Sequence, residues 1–162
     1  MDGPIRKLLV YVDGSEGSFD AVRLAVVLAR TFGAGLRALA VVDTRALGEL
    51  VQARIFLEAE REEYRRDLEG DVGRYLRRAV ELGRRKGVEV ETKSAQGSVS
   101  AEIKACVLEC GIDLLVVGEM AQVRSRRDEL YDEVDRAMRT VPCSVFVAKN
   151  GDRIEEIYDR LD

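Results

Sequence analysis

The run Leu114-Leu115-Val116-Val117 closes on Gly118, and the stretch from Glu119 to Asp132 sets three arginines (Arg124, Arg126, Arg127) against four acids (Glu119, Asp128, Glu129, Asp132). A strand that ends in a glycine turn is where α/β domains cradle phosphate on backbone N–H groups. Glycine admits a ligand to the backbone with no side chain in the way. Gly118 is therefore a candidate binding position, with a plain strand-ending turn as the competing reading. Arg124, Arg126 and Arg127 are a candidate anion clamp, because guanidinium pairs well with phosphate. Mixed charge of this density also suits a solvated loop. Asp13, in Asp13-Gly14-Ser15, follows the first apolar run. It is a candidate polar contact to a ligand, or a turn residue bonded to the backbone beside it.

What is missing narrows the chemistry. The chain has no histidine, which removes His-based triads, most zinc sites and the usual acid–base group near neutral pH. No catalytic constellation is recognisable, and no enzyme activity is expected. Cys106, Cys110 and Cys143 are too few and too odd in number for a disulfide framework. Cys106 and Cys110 lie four apart without further ligands, so no metal is expected and buried apolar cysteine is the reading. A net charge of −4 argues against general nucleic-acid binding. No apolar run approaches the roughly 20 residues of a membrane span, and Met1-Asp2-Gly3-Pro4 does not open a secretory signal. A cytoplasmic protein with no membrane or nucleic-acid partner is expected.

Strand and helix patterns alternate around these residues. Lys7 to Val12, Leu36 to Val42, Val88 to Lys93, Asp113 to Val117 and Ser144 to Ala148 read as five strands. Ser15 is placed to cap a helix from Glu16 to about Phe32, closed by Gly33 and Gly35. A long amphipathic helix is expected from about Leu57 to Lys86, weakened at Gly70 and Gly73. Shorter helices follow Gly97-Ser98 and span Asp128 to Thr140, the second with Leu130, Val134, Ala137 and Met138 inward. Residues 44 to 56 fit no single pattern. The fold class is α/β: one five-stranded parallel sheet with helices on both faces, Rossmann-like. Residues 1–149 form that domain. Residues 150–162 form a short amphipathic helix with Ile154, Ile157, Tyr158 and Leu161 on one face, expected to be ordered only by docking on its own domain or on a partner subunit.

Val10-Tyr11-Val12-Asp13-Gly14-Ser15-Glu16 followed by Ala21 and Ala25 resembles the opening of universal stress protein domains. Gly97 with Ile103, then Asp113 to Gly118, is similar to their later segment. Val141-Pro142-Cys143-Ser144-Val145-Phe146-Val147 is similar to the stretch before their last strand. The resemblance covers about residues 5 to 149. It implies a five-stranded parallel fold, commonly a homodimer paired through the last strand, here Ser144 to Ala148, with a role in stress response. Some members bind ATP or AMP through glycine, two residues, glycine, nine residues, glycine and Ser or Thr. Projected from Gly118, the later positions fall on Ala121, Tyr131 and Asp132, so only the first glycine survives.

The resemblance also makes Val41 a candidate backbone contact to adenine and Asp13 a contact near base or ribose. Tyr131 adds bulk where backbone should be bare, and Asp132 replaces a hydroxyl with an acceptor-only carboxylate. The expected function is a dimeric regulatory or interaction module without standard ATP binding and without a bound cofactor, with protein partners that the sequence does not name. The alternative is an ATP- or AMP-binding protein with a remodelled arginine loop. An enzyme of the wider adenine-nucleotide α-hydrolase-like superfamily is a third reading, disfavoured by the absence of histidine.

Overall fold

The computed structural model describes residues 3–54, 57–119 and 127–162, with 46, 50 and 127–132 described by backbone alone. The elements run β1 (Lys7–Tyr11), α1 (Glu16–Phe32), β2 (Gly35–Val42), α2 (Thr44–Gln52), α3 (Glu58–Arg84), β3 (Val90–Gln96), α4 (Val99–Cys110), β4 (Leu114–Gly118), α5 (Arg127–Thr140), β5 (Ser144–Ala148) and α6 (Gly151–Arg160). All strand pairs are parallel, in the order β3-β2-β1-β4-β5. The expected α/β class and parallel sheet are what the chain forms. β1 sits at the centre because its apolar residues face both ways. Leu8, Val10 and Val12 join a core with α1, α3 and α6, and Leu9 and Tyr11 join a second core with α4 and α5.

Local chemistry sets the boundaries. The Ser15 hydroxyl accepts from Ser18 N to start α1, and Gly33, at φ +64°, ends it in the left-handed conformation that glycine tolerates. Ala21, Ala25 and Ala29 lie almost wholly buried, so α1 packs flush on the sheet. α3 runs unbroken through Gly70 and Gly73. Residues 44–52, ambiguous by pattern, form α2, with Leu47 buried.

One strand differs from its expected span. β3 begins at Val90 and continues to Gln96, rather than covering 88–93. Val88 N donates to Gly83 O and belongs to the turn that closes α3. Beyond Lys93, β3 keeps pairing with the eight-residue β2 up to Val42↔Gln96. The partner strand, not the local alternation, sets the length. Among the described residues no helix is long and apolar enough to cross a membrane.

The C-terminal stripe folds as α6 on its own subunit, against α1 and α3. Ile154 and Tyr158 are buried in the first core. The Tyr158 hydroxyl donates to Leu82 O at 2.6 Å, and Leu82 lies in the last turn of α3, where carbonyls lack helical partners. Lys86 Nζ donates to Leu161 O at 2.8 Å and lies 4.9 Å from the Tyr158 ring centre. Tyr158→Phe should therefore cost about 1 kcal/mol. Ending the chain after Asn150 should cost about 2–4 kcal/mol from the lost burial and lower the melting temperature by several degrees, as read by circular dichroism. An unchanged melting temperature in both variants would contradict this packing.

Candidate functional site

The carboxyl ends of the central strands bring Tyr11, Asp13, Asp43, Ser98, Gly118, Glu119 and Glu133 into one region. Ligands bind at this end of open α/β sheets. The Asp13 carboxylate accepts from Ser15 N at 2.9 Å and from the Ser15 hydroxyl at 2.5 Å, so it is engaged by its own turn. Gly14, at φ +86°, leaves no room for a side chain because the Tyr75 ring packs where its Cβ would stand.

Gly118 is explained by packing. A Cβ there would lie 2.4 Å from the Gly17 carbonyl group, and one on Gly17 would lie 2.6 Å from Glu119 O. The two glycines let the end of β4 touch the first turn of α1, backbone against backbone. Among the described residues, a cavity bounded by Tyr11, Asp13, Ser15, Ser18 and Gly118 measures about 10 Å³, room for about one water. A pocket for a nucleotide-sized ligand spans on the order of 300 Å³ or more.

The pairing of β2 fixes the direction of the Val41 peptide. The ladder between β1 and β2 ends at Tyr11↔Leu39, where Val12 N donates to Leu39 O. Alternate residues of a parallel strand turn their peptide groups to alternate sides. Gly97 N bonds Val42 O on the β3 side, so the Val41 peptide faces the other side, one step past β1. Arg124 and Arg126 lie outside the described residues, as does Ala121. Arg127 opens α5, and Tyr131 and Asp132 fall inside that helix. In a helix that starts at 127, only the first-turn N–H groups lack helical partners, so those of residues 131 and 132 are used within it. The structure brings Asp13, Val41 and Gly118 to one end of the sheet, at the carboxyl ends of β1, β2 and β4.

Glu133 is the site residue that pattern reading missed. It is only 4% exposed. It accepts from the Ser100 hydroxyl at 2.6 Å, from Ser100 N at 3.0 Å and from the Ser98 hydroxyl at 2.9 Å. Arg45 approaches at 3.2 Å and Arg136 at 3.6 Å. Burial by itself would raise the Glu133 pKa, but the Ser100 and Ser98 hydrogen bonds and the Arg45 charge outweigh it and bring it to about 2. A signal was present in the sequence: Glu133 stands next to Val134 and four before Ala137, on the inward stripe of α5. The Tyr11 hydroxyl is pushed far up, by burial first and then by Asp13, Asp43 and Glu133, so negative charge gathers at the end of β1.

A larger groove, about 760 Å³, opens at the opposite edge of the sheet between Arg30, Arg37, Gly87, Glu91 and Cys110. Its charges are partly used, with Arg37 bound to Glu91 at 2.7 Å and Lys7 donating to Cys110 O at 3.2 Å. It lies at the amino ends of the strands, away from the region where open sheets place ligands. No group of three or more His, Cys, Asp or Glu side chains suited to a metal ion exists among the described residues.

Residues 4–149 match the family model described as Universal stress protein family. The chain is 36% identical over 148 residues to universal stress protein YxiE of Bacillus subtilis, covering 88% of this chain and 98% of that protein. Its fold is similar to that of the universal stress protein UspA from Lactobacillus plantarum, with a TM-score of 0.72 at 22% identity, covering 91% of this chain and 100% of the other. It is similar also to a universal stress protein family member from Arabidopsis thaliana with AMP bound, with a TM-score of 0.57 at 18% identity, covering 91% and 94%.

Two outcomes follow from the site geometry. Because folding lowers the Glu133 pKa from 4.5 to about 2, its contribution to stability is complete above about pH 4.5. It is lost as pH falls toward 2, and acid unfolding of a Glu133→Gln variant should show a weaker dependence over that window. Gly118→Ala should destabilise by about 1–3 kcal/mol, as overpacking against rigid backbone does, and thermal unfolding without any ligand should detect it.

Proposed function

Since this chain belongs to the universal stress protein family, we propose that it acts there as a non-enzymatic, dimeric regulatory or interaction module of the cytoplasm that takes no nucleoside triphosphate. The observation that carries this reading is the cavity of about 10 Å³ beside Asp13 and Gly118. Three features support it. Gly118 serves a backbone contact with Gly17. The helix carrying Tyr131 and Asp132 begins at Arg127, before the positions whose N–H groups would hold phosphate. The charges of Asp13, Asp43 and Glu133 act together on Tyr11 and would repel a polyphosphate. Residues 1–149 are the family unit in this proposal, and 150–162 are an added helix.

AMP is the second reading, favoured by the Val41 peptide that faces past the end of β1. Asp13, Val41 and Gly118 would then line the nucleoside side, with Arg124, Arg126 and Arg127 reaching the single phosphate. The proposed dimer pairs two copies of β5. This strand is an edge of the sheet, with Phe146 43% and Val147 40% exposed. Val145 to Val147 carry no charge to discourage pairing, and unprotected apolar edges tend to be paired.

Isothermal titration separates the readings. No ATP binding is expected at about 100 μM, roughly 2–3 kcal/mol weaker than a micromolar site. A low-micromolar ATP site would overturn the reading, and a low-micromolar AMP site would replace it with the second. Light scattering should report a dimer that Phe146→Lys weakens. A monomeric parent protein would remove the assembly claim.

A further inference from the structure

The Glu133 carboxylate collects donors from three separate elements. Ser100 N is a first-turn amide of α4, one of the helix-end groups without a helical partner. The Ser98 hydroxyl stands at the cap position of α4 but makes no capping bond to its own helix. It donates to Glu133 instead, 35 residues away. Arg45, on α2, and Arg136, on α5, add ion pairs to it among the described residues. Serine hydroxyls, a helix-end amide and a guanidinium on one anion form a donor arrangement that would equally suit a phosphate or carboxylate ligand. Here the anion is covalently part of α5.

We propose that Glu133 is an internal anion that positions α5 against α4 and α2, supplying from within the chain the negative charge that a ligand would otherwise bring to this end of the sheet. The inference deepens the proposed function and rests on it, because a site with its own anion has no place for a second. Glu133 is a positioning residue. The surrounding charges agree with the assignment: Asp13 and Asp43 add negative potential beside it at Tyr11, and among the described residues Arg45 and Arg136 offset it. A buried carboxylate without these donors would be strongly unfavourable, so α5 is held in the one place where they converge.

The test is replacement of the missing anion. Glu133→Ala should lower the melting temperature by several degrees. Sodium phosphate or formate should then restore part of the loss in a saturable way, beyond sodium chloride at equal ionic strength. The parent protein should show no such difference, and adding Arg45→Ala to the alanine variant should abolish it. A merely structural side chain would not produce anion-specific recovery.

If the alanine variant is unfolded in chloride, native circular dichroism regained in phosphate or formate supports the proposal, and its absence in all three salts overturns it. Glu133→Gln is the second variant. Its amide keeps the volume and an acceptor oxygen, so it should fold and show no phosphate-specific rise. A rise there, or an equal rise in the parent protein, overturns the proposal. Titration of the parent with ATP tests the functional reading separately. A parent that binds ATP sinks that reading, whereas an alanine variant indifferent to anions sinks the role of Glu133 alone.

Discussion

Burial of β1 on both faces is the constraint from which the rest of the molecule follows. Leu8, Val10 and Val12 need cover on one side, and Leu9 and Tyr11 on the other. Five parallel strands meet this need only if the connections cross over and return as helices on both layers. That arrangement sends every strand's carboxyl end to the same edge, next to the starts of α1 and α4. Tyr11 ends the central strand there, with its ring in the second core and its hydroxyl among Asp13, Asp43 and Glu133.

The edge so created is closed by short contacts of different kinds. Gly17 and Gly118 bring α1 and β4 together at backbone distance. Asp13 folds onto Ser15. Glu133 fastens α5 to the serines of α4 and to Arg45. The buried Glu133 carboxylate has donors supplied at hydrogen-bond distance, which is the condition for placing a carboxylate away from water. Among the described residues, Asp13, Asp43 and Glu133 gather at this edge around Tyr11, with Arg45 and Arg136 beside Glu133.

The two outer parts of the chain are treated differently. α6, outside the matched residues 4–149, covers α1 and α3 and lends the Tyr158 hydroxyl to the end of α3. β5 stays at the sheet edge with Phe146 and Val147 half exposed. Because α6 packs on its own subunit, it leaves the β5 edge as the surface on which a second copy is proposed to pair.

Much of the fold was legible in the sequence, because it rests on local rules. Apolar runs gave the strands and their parallel class, Ser15 and Gly33 bounded α1, and the stripe at Ile154, Ile157, Tyr158 and Leu161 marked a final helix. The match of Val10 to Glu16 and of Val141 to Val147 with a known family was also readable before any coordinates, and the family comparison agrees with it. The length of β3 was not, because it is set by pairing with β2 rather than by its own alternation. Nor was the packing role of Gly118, because whether a glycine serves a ligand or a neighbouring backbone depends on what approaches it, and Gly17 is distant in sequence. Glu133 stood in plain view on the apolar face of α5, yet its role depended on Ser98, Ser100 and Arg45, which only chain crossing brings within hydrogen-bond reach. Sequence alone determined which residues must be buried and which turns could form. Tertiary structure decided which polar groups meet, since hydrogen bonds and charge pairs act over a few ångströms and segments far apart in the chain reach that range only after the sheet assembles.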